Sequence, residues 1–461
     1  MSIFREYDIR GLVPTELNHS LVSKVGYALG RIVKAHGGKV ALGYDARTHS
    51  LDIFEWLASG LNAAGVEVFN LGLVPTPVAY FCTFTTGITN SIMITGSHNP
   101  PDYNGLKITI DEAPFYGEAL QDLAREVMES SFDCFDTKPI VVDRLDVAAA
   151  YVDFLTNEFS SLKGWGEKIA FDCGNGVAGP LLEKVIENLK LDPIKLYFKP
   201  DGRFPNHHPD PSEAKNLADL EAALKREGAH IGLAYDGDGD RVALVSNKRH
   251  FRGDELAMLL ARELARSAPP VVLGEVKCSQ QMYDYINGIG KALMCKTGHS
   301  NLKVRLKEVG AHLACEMSGH IFFNDRYFGY DDALYASFRI LELIFNENTR
   351  GSYDNPLAPL EEVLDALPRI YSTTEEKIPS SEEDKFRIVS SLKDKLASHV
   401  SSGATPLVKQ VIDIDGVRVV FEEGWGLVRA SNTTPCLVTR FEASTNENLA
   451  LYKDFLLGLI S

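Results

Sequence analysis

A chain of 461 residues with 45% hydrophobic content can build several cores, and its length suggests three or four domains of ordinary size. A formal net charge of −16 argues against a non-specific nucleic-acid binder, whose footprint would be basic, and leaves room for local basic pockets. Seven scattered cysteines with no close pair speak against a disulfide framework or a zinc site, and no apolar run is long enough to cross a bilayer.

The first residues, Met1-Ser-Ile-Phe-Arg-Glu-Tyr-Asp8, carry charge where a signal peptide needs an apolar core. With the cysteine usage, this gives a reducing, cytoplasmic compartment as the expectation. Residues 39–45 then read as a short apolar strand, and residues 52–64 as a helix with Ile53, Leu57 and Leu61 on one stripe. A second strand follows at 66–69. A third, Ile92-Met-Ile94, breaks into Thr95-Gly-Ser-His-Asn-Pro100 and a second proline, which ends the strand and stiffens the turn. A fourth strand is expected at 106–110. The same grammar returns at 168–173 and 194–198, with the loop Asp236-Gly-Asp-Gly-Asp-Arg241 before a strand at 242–245. It returns again at 270–276, with the loop Glu316-Met-Ser-Gly-His320 before a strand at 321–323. Residues 145–160 and 247–250 read as joints. From about residue 369 the pattern changes to a charged helix at 382–399, strands at 411–414, 417–421 and 437–441, and a last helix at 446–460.

A threefold repeat of strand–helix units implies α/β layers, in which ligands gather at the carboxyl ends of strands. The expected fold is α/β, with three similar mixed-sheet domains at 1–147, 148–249 and 250–366. A smaller C-terminal α+β domain at 367–461 completes a central cleft. Three chemically different loops would then face one another.

Ser97 sits at a strand end beside His98, where a turn can present a hydroxyl for covalent chemistry. A bland Ser-His loop is the alternative. Asp236, Asp238 and Asp240 alternate with glycines, so the backbone can curl all three carboxylates toward one hard divalent cation; an acidic hairpin turn is the other reading. An EF-hand fails, because Arg241 and Asn247 stand where that loop needs Gly and Glu. Three carboxylates leave coordination positions open, as Mg²⁺ serving a phosphate requires, and Arg241 offers a planar fork for phosphate oxygens. Gly174-Asn-Gly-Val-Ala-Gly179 matches a dinucleotide fingerprint, but no acidic residue ends the next strand convincingly, so a tight structural turn is favoured. Arg429-Ala-Ser-Asn-Thr-Thr-Pro435 clusters donors suited to a phosphate, against a turn-forming role for Ser431 and Asn432. Glu316, Ser318 and His320 alternate past a strand end: the first two can read sugar hydroxyls, and the histidine can move protons near neutral pH. Lys277 and His299 can add to the same cleft.

Together these residues resemble the α-D-phosphohexomutase superfamily, specifically its phosphomannomutase/phosphoglucomutase branch. The resemblance runs the whole length and includes Phe4-Arg-Glu-Tyr-Asp-Ile-Arg-Gly11, the serine loop, residues 236–241, Glu316-Met-Ser-Gly-His320, Phe328-Gly-Tyr-Asp-Asp332 and residues 429–435. It implies that Ser97 is phosphorylated in the resting enzyme. It also implies that Asp236, Asp238 and Asp240 bind one Mg²⁺ per chain together with that phosphoryl group. Hexose 1- and 6-phosphates would interconvert through a 1,6-bisphosphate that turns over in the site, the free bisphosphate serving as phosphorylating activator. Arg241, Lys107, His98 and His320 are the expected catalytic group. Tyr7, Arg10, Lys277, His299, Glu316 and Ser318 would bind substrate, and Arg429, Ser431, Asn432 and Thr433 would grip the phosphate that is not reacting. A monomer with a mobile fourth domain is expected. Cys315 and the Thr-Thr-Pro of the last loop depart from the commoner family pattern. The methionine of Glu-Met-Ser-Gly-His favours hexose-accepting members over phosphoglucosamine mutases. A metal-dependent phosphoserine phosphatase is the rival chemistry, since it can use the same acidic loop with an activated water.

Overall fold

The computed structural model describes residues 3–132, 140–351, 353–432 and 434–460. Three sheets share one arrangement. In the first, strand Tyr103–Ile110 lies beside Ser91–Ile94, then Lys39–Tyr44, then Glu67–Leu73. The second repeats it with Val242–Val245, Ile231–Tyr235, Lys168–Asp172 and Asp192–Leu196, and the third with Ile321–Phe323, Leu313–Cys315, Val271–Glu275 and Lys291–Cys295. In each set the first three strands by sequence pair in parallel and the fourth is antiparallel to the third.

The chemistry of the chain follows from that pattern. Parallel neighbours need crossovers, here the helices Ser50–Ala63 and Thr76–Thr85, Gly179–Leu189 and Ala218–Glu227, and Gln280–Asn287 and His299–Val309. An antiparallel pair needs only a short loop. Strands covered on both faces read as continuous apolar runs, and Ser91–Ile94, Ile231–Tyr235 and Leu313–Cys315 are buried along their whole lengths. Each therefore runs through the core and emerges in the polar loop that precedes the antiparallel strand. Extra strands extend the edges: Ile9–Leu12 pairs with Tyr103–Ile110, Val142–Arg144 with Glu67–Leu73, and His250–Phe251 with Val242–Val245.

The last sheet is antiparallel throughout, in the order Tyr371–Ser372, Cys436–Ala443, Gly424–Ala430, Val417–Phe421, Val408–Ile412, with Glu376–Pro379 also pairing to Cys436–Ala443. Helices Glu382–Ser402 and Asn446–Ile460 cover it around Phe421, Phe441, Tyr452 and Leu456. One apolar core runs through the three repeats, joining Val78 and Phe81 to Tyr151, Phe171, Leu244, Leu334 and Phe338. The glycine-rich run at 174–179 is structural. A Cβ on Gly176 would meet the Gly237 carbonyl oxygen at 2.7 Å, so this turn packs against the acidic loop.

Candidate active site

Ser97 stands in the loop after strand Ser91–Ile94, buried, with φ +48, a left-handed backbone that side chains disfavour. Its Oγ donates to Asp236 Oδ2 at 3.0 Å and lies 3.1 Å from His98 Nδ1. The serine of the first unit and the acidic loop of the second are thus in direct contact. A Cβ on Gly237 would meet the Ser97 carbonyl oxygen at 2.6 Å, so a glycine there is what lets the two loops touch. Arg10 donates to Asn99 Oδ1 at 2.7 Å and pairs with Asp8, placing the N-terminal segment against the same loop. Burial and the nearby Arg241 and Arg10 hold the His98 imidazole well below its usual range, so it is neutral at pH 7.

Asp236, Asp238 and Asp240 are fully buried, and each offers an oxygen within 4.8 Å of the others. Oδ1 of Asp236 accepts from the backbone N–H groups of Gly239 (3.0 Å), Asp240 (3.1 Å) and Arg241 (3.2 Å), which curls the loop around it. Asp238 Oδ2 accepts from Thr76 Oγ1 at 2.5 Å. Lys107, from strand Tyr103–Ile110, donates to Asp238 Oδ2 at 2.6 Å and Asp240 Oδ2 at 2.5 Å. Burial disfavours its charge, but those two carboxylates outweigh burial and hold the ammonium well above its ordinary range. Oδ1 of both Asp238 and Asp240 is buried without a hydrogen-bond partner. Three converging carboxylates, two of them with an unpartnered oxygen, are a donor set for a hard divalent cation.

Arg241 donates from Nε to His320 Nε2 at 2.9 Å, which puts the imidazole proton on Nδ1, 2.9 Å from Asp331 Oδ2. Asp331 also pairs with Lys303 at 2.7 Å. Burial, then the charge of Lys303, depresses the neighbouring His299, whose ring stacks on His320 at 5.8 Å.

Glu316 is buried and accepts from the Gly298 N–H at 2.8 Å and from Ser318 Oγ at 3.2 Å. Lys277 reaches Glu375 of the last domain at 3.0 Å and Glu275 at 3.6 Å. Arg429 donates to Asp415 Oδ2 at 3.0 Å, and Ser431 Oγ lies 2.8 Å from Thr434 Oγ1. Tyr7 joins three domains: it donates to the Thr297 carbonyl at 2.8 Å and accepts from Asn432 Nδ2 at 2.5 Å. Burial pushes its hydroxyl far up, so it stays protonated. Thr433 lies outside the described residues.

The structure therefore gathers Ser97, His98, Lys107, Asp236, Asp238, Asp240, Arg241 and His320 into one cluster. The loop at 316–320 and the last domain's loop connect to it through His299, Gly298 and Tyr7. Several participants escape a reading of motifs. Asp45 and Arg47 sit beneath the serine loop, Thr76 holds Asp238, and Asp331 orients His320. Glu275 accepts from Thr297 Oγ1 at 2.6 Å and the Met317 N–H at 3.1 Å. The available signal was position, since Asp45 and Glu275 each end or follow the first strand of a repeat.

Four family models match the chain in order. They are described as phosphoglucomutase/phosphomannomutase alpha/beta/alpha domain I over residues 1–132, domain II over 149–249 and domain III over 252–368, with the C-terminal domain over 373–459. A phosphomannomutase/phosphoglucomutase of Pseudomonas aeruginosa is 41% identical over 456 residues, covering 98% of this chain and 94% of that protein. A phosphoglucomutase of Neisseria gonorrhoeae is 40% identical over 451 residues, covering 96% and 93%. The crystal structure of a phosphoglucomutase/phosphomannomutase family protein from Burkholderia thailandensis, 37% identical, covers 99% of this chain and 96% of that one with a TM-score of 0.87.

Proposed function

The chain belongs to the phosphoglucomutase/phosphomannomutase family, and from that premise we propose that it interconverts hexose 1-phosphate and hexose 6-phosphate, of mannose or glucose, through phosphoserine 97. It is an isomerase that moves a phosphoryl group within one sugar. The observation that carries the reading is the 3.0 Å contact between Ser97 Oγ and Asp236, beside two buried carboxylate oxygens with no partner.

Asp236, Asp238 and Asp240 would hold Mg²⁺, which when bound neutralises charge on the phosphoryl group in flight. The remaining work falls to the chain's own residues. A bound hexose phosphate presents its free hydroxyl to phosphoserine 97; the bond from phosphorus to Oγ breaks, a bond to the sugar oxygen forms, and a proton returns to Oγ. Arg241, its Nε bonded to His320, which Asp331 orients in turn, offers a fixed fork to the phosphoryl oxygens. Lys107 stays an ammonium and balances the acidic loop. His98, neutral at 3.1 Å from Oγ, is a proton acceptor for the serine when the phosphoryl group returns. The resulting 1,6-bisphosphate must turn end over end before its other phosphate passes back to Ser97. Glu316, Ser318, Lys277 and His299 would read hydroxyls met in both orientations, while Arg429, Ser431, Asn432 and Thr433 grip the distal phosphate. Free hexose 1,6-bisphosphate would reload a dephosphorylated serine.

The six described cysteines are buried and unpaired, which supports a reducing, cytoplasmic setting. Among the described residues no helix is long and apolar enough to cross a membrane.

The test is phosphate on Ser97. After treatment with glucose 1,6-bisphosphate, intact mass should show one added phosphoryl group, absent in Ser97→Ala. That variant should bind glucose 6-phosphate yet not turn over glucose 1-phosphate or mannose 1-phosphate. Undiminished turnover by Ser97→Ala refutes the route. Release of inorganic phosphate as the main product would instead mark a phosphatase, and preference for glucosamine phosphates would mark the amino-sugar branch.

A further inference from the structure

We propose that Arg47 is the positioning residue that holds Ser97 in its reactive geometry, a role that rests on the phosphoserine route above. Arg47 lies in the loop after the first strand of the first unit and is 3% exposed. All five of its guanidinium N–H groups have a partner around one turn. Nη2 donates to the Ser97 carbonyl at 2.8 Å and the Asn99 carbonyl at 2.6 Å. Nη1 donates to the Tyr103 carbonyl at 2.8 Å and to the Pro100 carbonyl. Nε completes the set, donating to Asp45 Oδ2 at 3.2 Å. A planar fork with five fixed donors can hold four carbonyls and a carboxylate at once, which an ammonium with three donors cannot.

The other side of the turn is tied to the same pair. Asp45 Oδ2 accepts from Thr95 Oγ1 at 2.8 Å and the Gly96 N–H at 3.2 Å, and Thr95 Oγ1 in turn accepts the Ser97 N–H at 2.8 Å. Both the carbonyl and the N–H of Ser97 are therefore anchored, directly or through Thr95, to the Asp45–Arg47 pair. Such double anchoring is what a non-glycine residue at φ +48 requires to stay there. The brace also reaches the second unit, which carries the acidic loop. The Phe204 ring lies 5.3 Å from the guanidinium carbon, and His208 bonds to the His98 carbonyl. Arg47 makes no hydrogen bond to Asp236, Asp238 or Asp240; its bonds go to the backbone of the serine turn and to Asp45. It sets the direction of Oγ toward Asp236 and donates no proton to the transfer.

The test uses full-length enzyme loaded from glucose 1,6-bisphosphate with labelled phosphate, then mixed rapidly with glucose 6-phosphate. Arg47→Lys should load label and bind glucose 6-phosphate with little change in Kd, while label transfer to the sugar slows ~100-fold, the scale of a displaced reacting group. Leakage of label to water should rise relative to transfer. A purely structural arginine would lower thermal stability without altering the transfer rate of the folded enzyme. Thr95→Val provides a second reading should Arg47→Lys fail to fold: it severs the Ser97 N–H from Asp45 and should slow transfer ~10-fold, about one hydrogen bond's worth. Wild-type transfer rates in folded Arg47→Lys, or in Thr95→Val when the lysine variant does not fold, overturn the role. Absence of label on wild-type Ser97 overturns the phosphoserine route itself, so the two failures are told apart.

Discussion

Replacing Lys107 by methionine keeps the side chain's length and removes the ammonium that sits 2.6 Å from Asp238 and 2.5 Å from Asp240. Asp238 and Asp240, both fully buried, then lose the cation bonded to them, in a loop that also buries Asp236. Breaking a buried pair in this way costs about 3–5 kcal/mol, because the remaining charge is uncompensated. A second route to the magnitude agrees. The cheapest relief is for one carboxylate to take up a proton, and burial together with Asp238 and Asp240 already pushes Asp236 well above the usual carboxylate range. Forcing a proton onto a group of ordinary pKa near 3.9 costs about 5 kcal/mol at pH 7.5 and about 2 kcal/mol at pH 5.5. A carboxyl whose folded pKa is raised loses stability as pH rises above its unfolded value, so the deficit must shrink toward acid. At ~2 °C per kcal/mol for a large cooperative unit, Lys107→Met should unfold about 10 °C below wild type in EDTA at pH 7.5 and about 4 °C below at pH 5.5. A divalent cation that replaces the lost charge should restore part of this, about 2.7 kcal/mol at a hundredfold excess over its Kd. Thermal unfolding with EDTA and with Mg²⁺ at both pH values measures all three quantities. A variant indistinguishable from wild type in EDTA, or a deficit equal at both pH values, would refute the claim that the Lys107 ammonium balances the acidic loop.

Gly237→Ala should be poorly tolerated, because its Cβ would meet the Ser97 carbonyl oxygen at 2.6 Å and backbone cannot swing aside. Separating the serine and acidic loops by a fraction of an ångström should lower kcat by ~100-fold with little change in KM, read from steady-state kinetics. Tyr7→Phe removes the hydroxyl shared by Thr297 and Asn432. Two net hydrogen bonds are worth about 2 kcal/mol, so KM for hexose phosphate should rise ~30-fold at most, and solution scattering should report a more open particle; an unchanged KM and radius would remove Tyr7 from domain closure.

Much of the fold was legible in the residues because each repeat buries a central strand on both faces and then breaks into polar sequence. The apolar run Ile92-Met-Ile94 followed by Thr95-Gly-Ser97 shows both features. The C-terminal domain was harder to read. Strand Gly424–Ala430 carries two glycines that weaken a strand signal, yet the structure packs Trp425 and Leu427 from it against Val276 of the third unit. Tertiary packing there overrides local preference. In the site, Ser97 and the three aspartates were legible because their chemistry is concentrated within a few residues. Arg47, Asp331 and Thr76 were not, because each acts across a long separation on a residue whose own motif is elsewhere. Asp331 belongs to a quoted motif, but its meaning depends on His320 being 2.9 Å away, a fact of the fold.

The contacts of the C-terminal domain differ from one side to the other, and the difference bears on how a bound bisphosphate could turn. Against the third unit, Arg418 is fully buried and donates to the carbonyls of Val276 (2.6 Å) and Cys278 (2.8 Å) while stacking on Trp425. Arg440 bonds to the Lys277 carbonyl, and Ser279 Oγ donates to Glu442 at 2.8 Å. Stripping these buried guanidinium groups of their carbonyl and carboxylate partners would be costly, so this face is expected to act as a pivot. Toward the first unit the link runs through Tyr7 and Asn432, a hydrogen bond between two neutral groups that water can replace at little net cost. The strong face ties Lys277 to the domain that carries Arg429, while the weak link runs to the N-terminal segment whose Arg10 bonds Asn99 of the serine loop. Release at Tyr7 would therefore loosen the side of the C-terminal domain that faces the N-terminal segment while the bonds of Arg418, Arg440 and Ser279 persist, which is the order of events that a retained, reorienting intermediate demands.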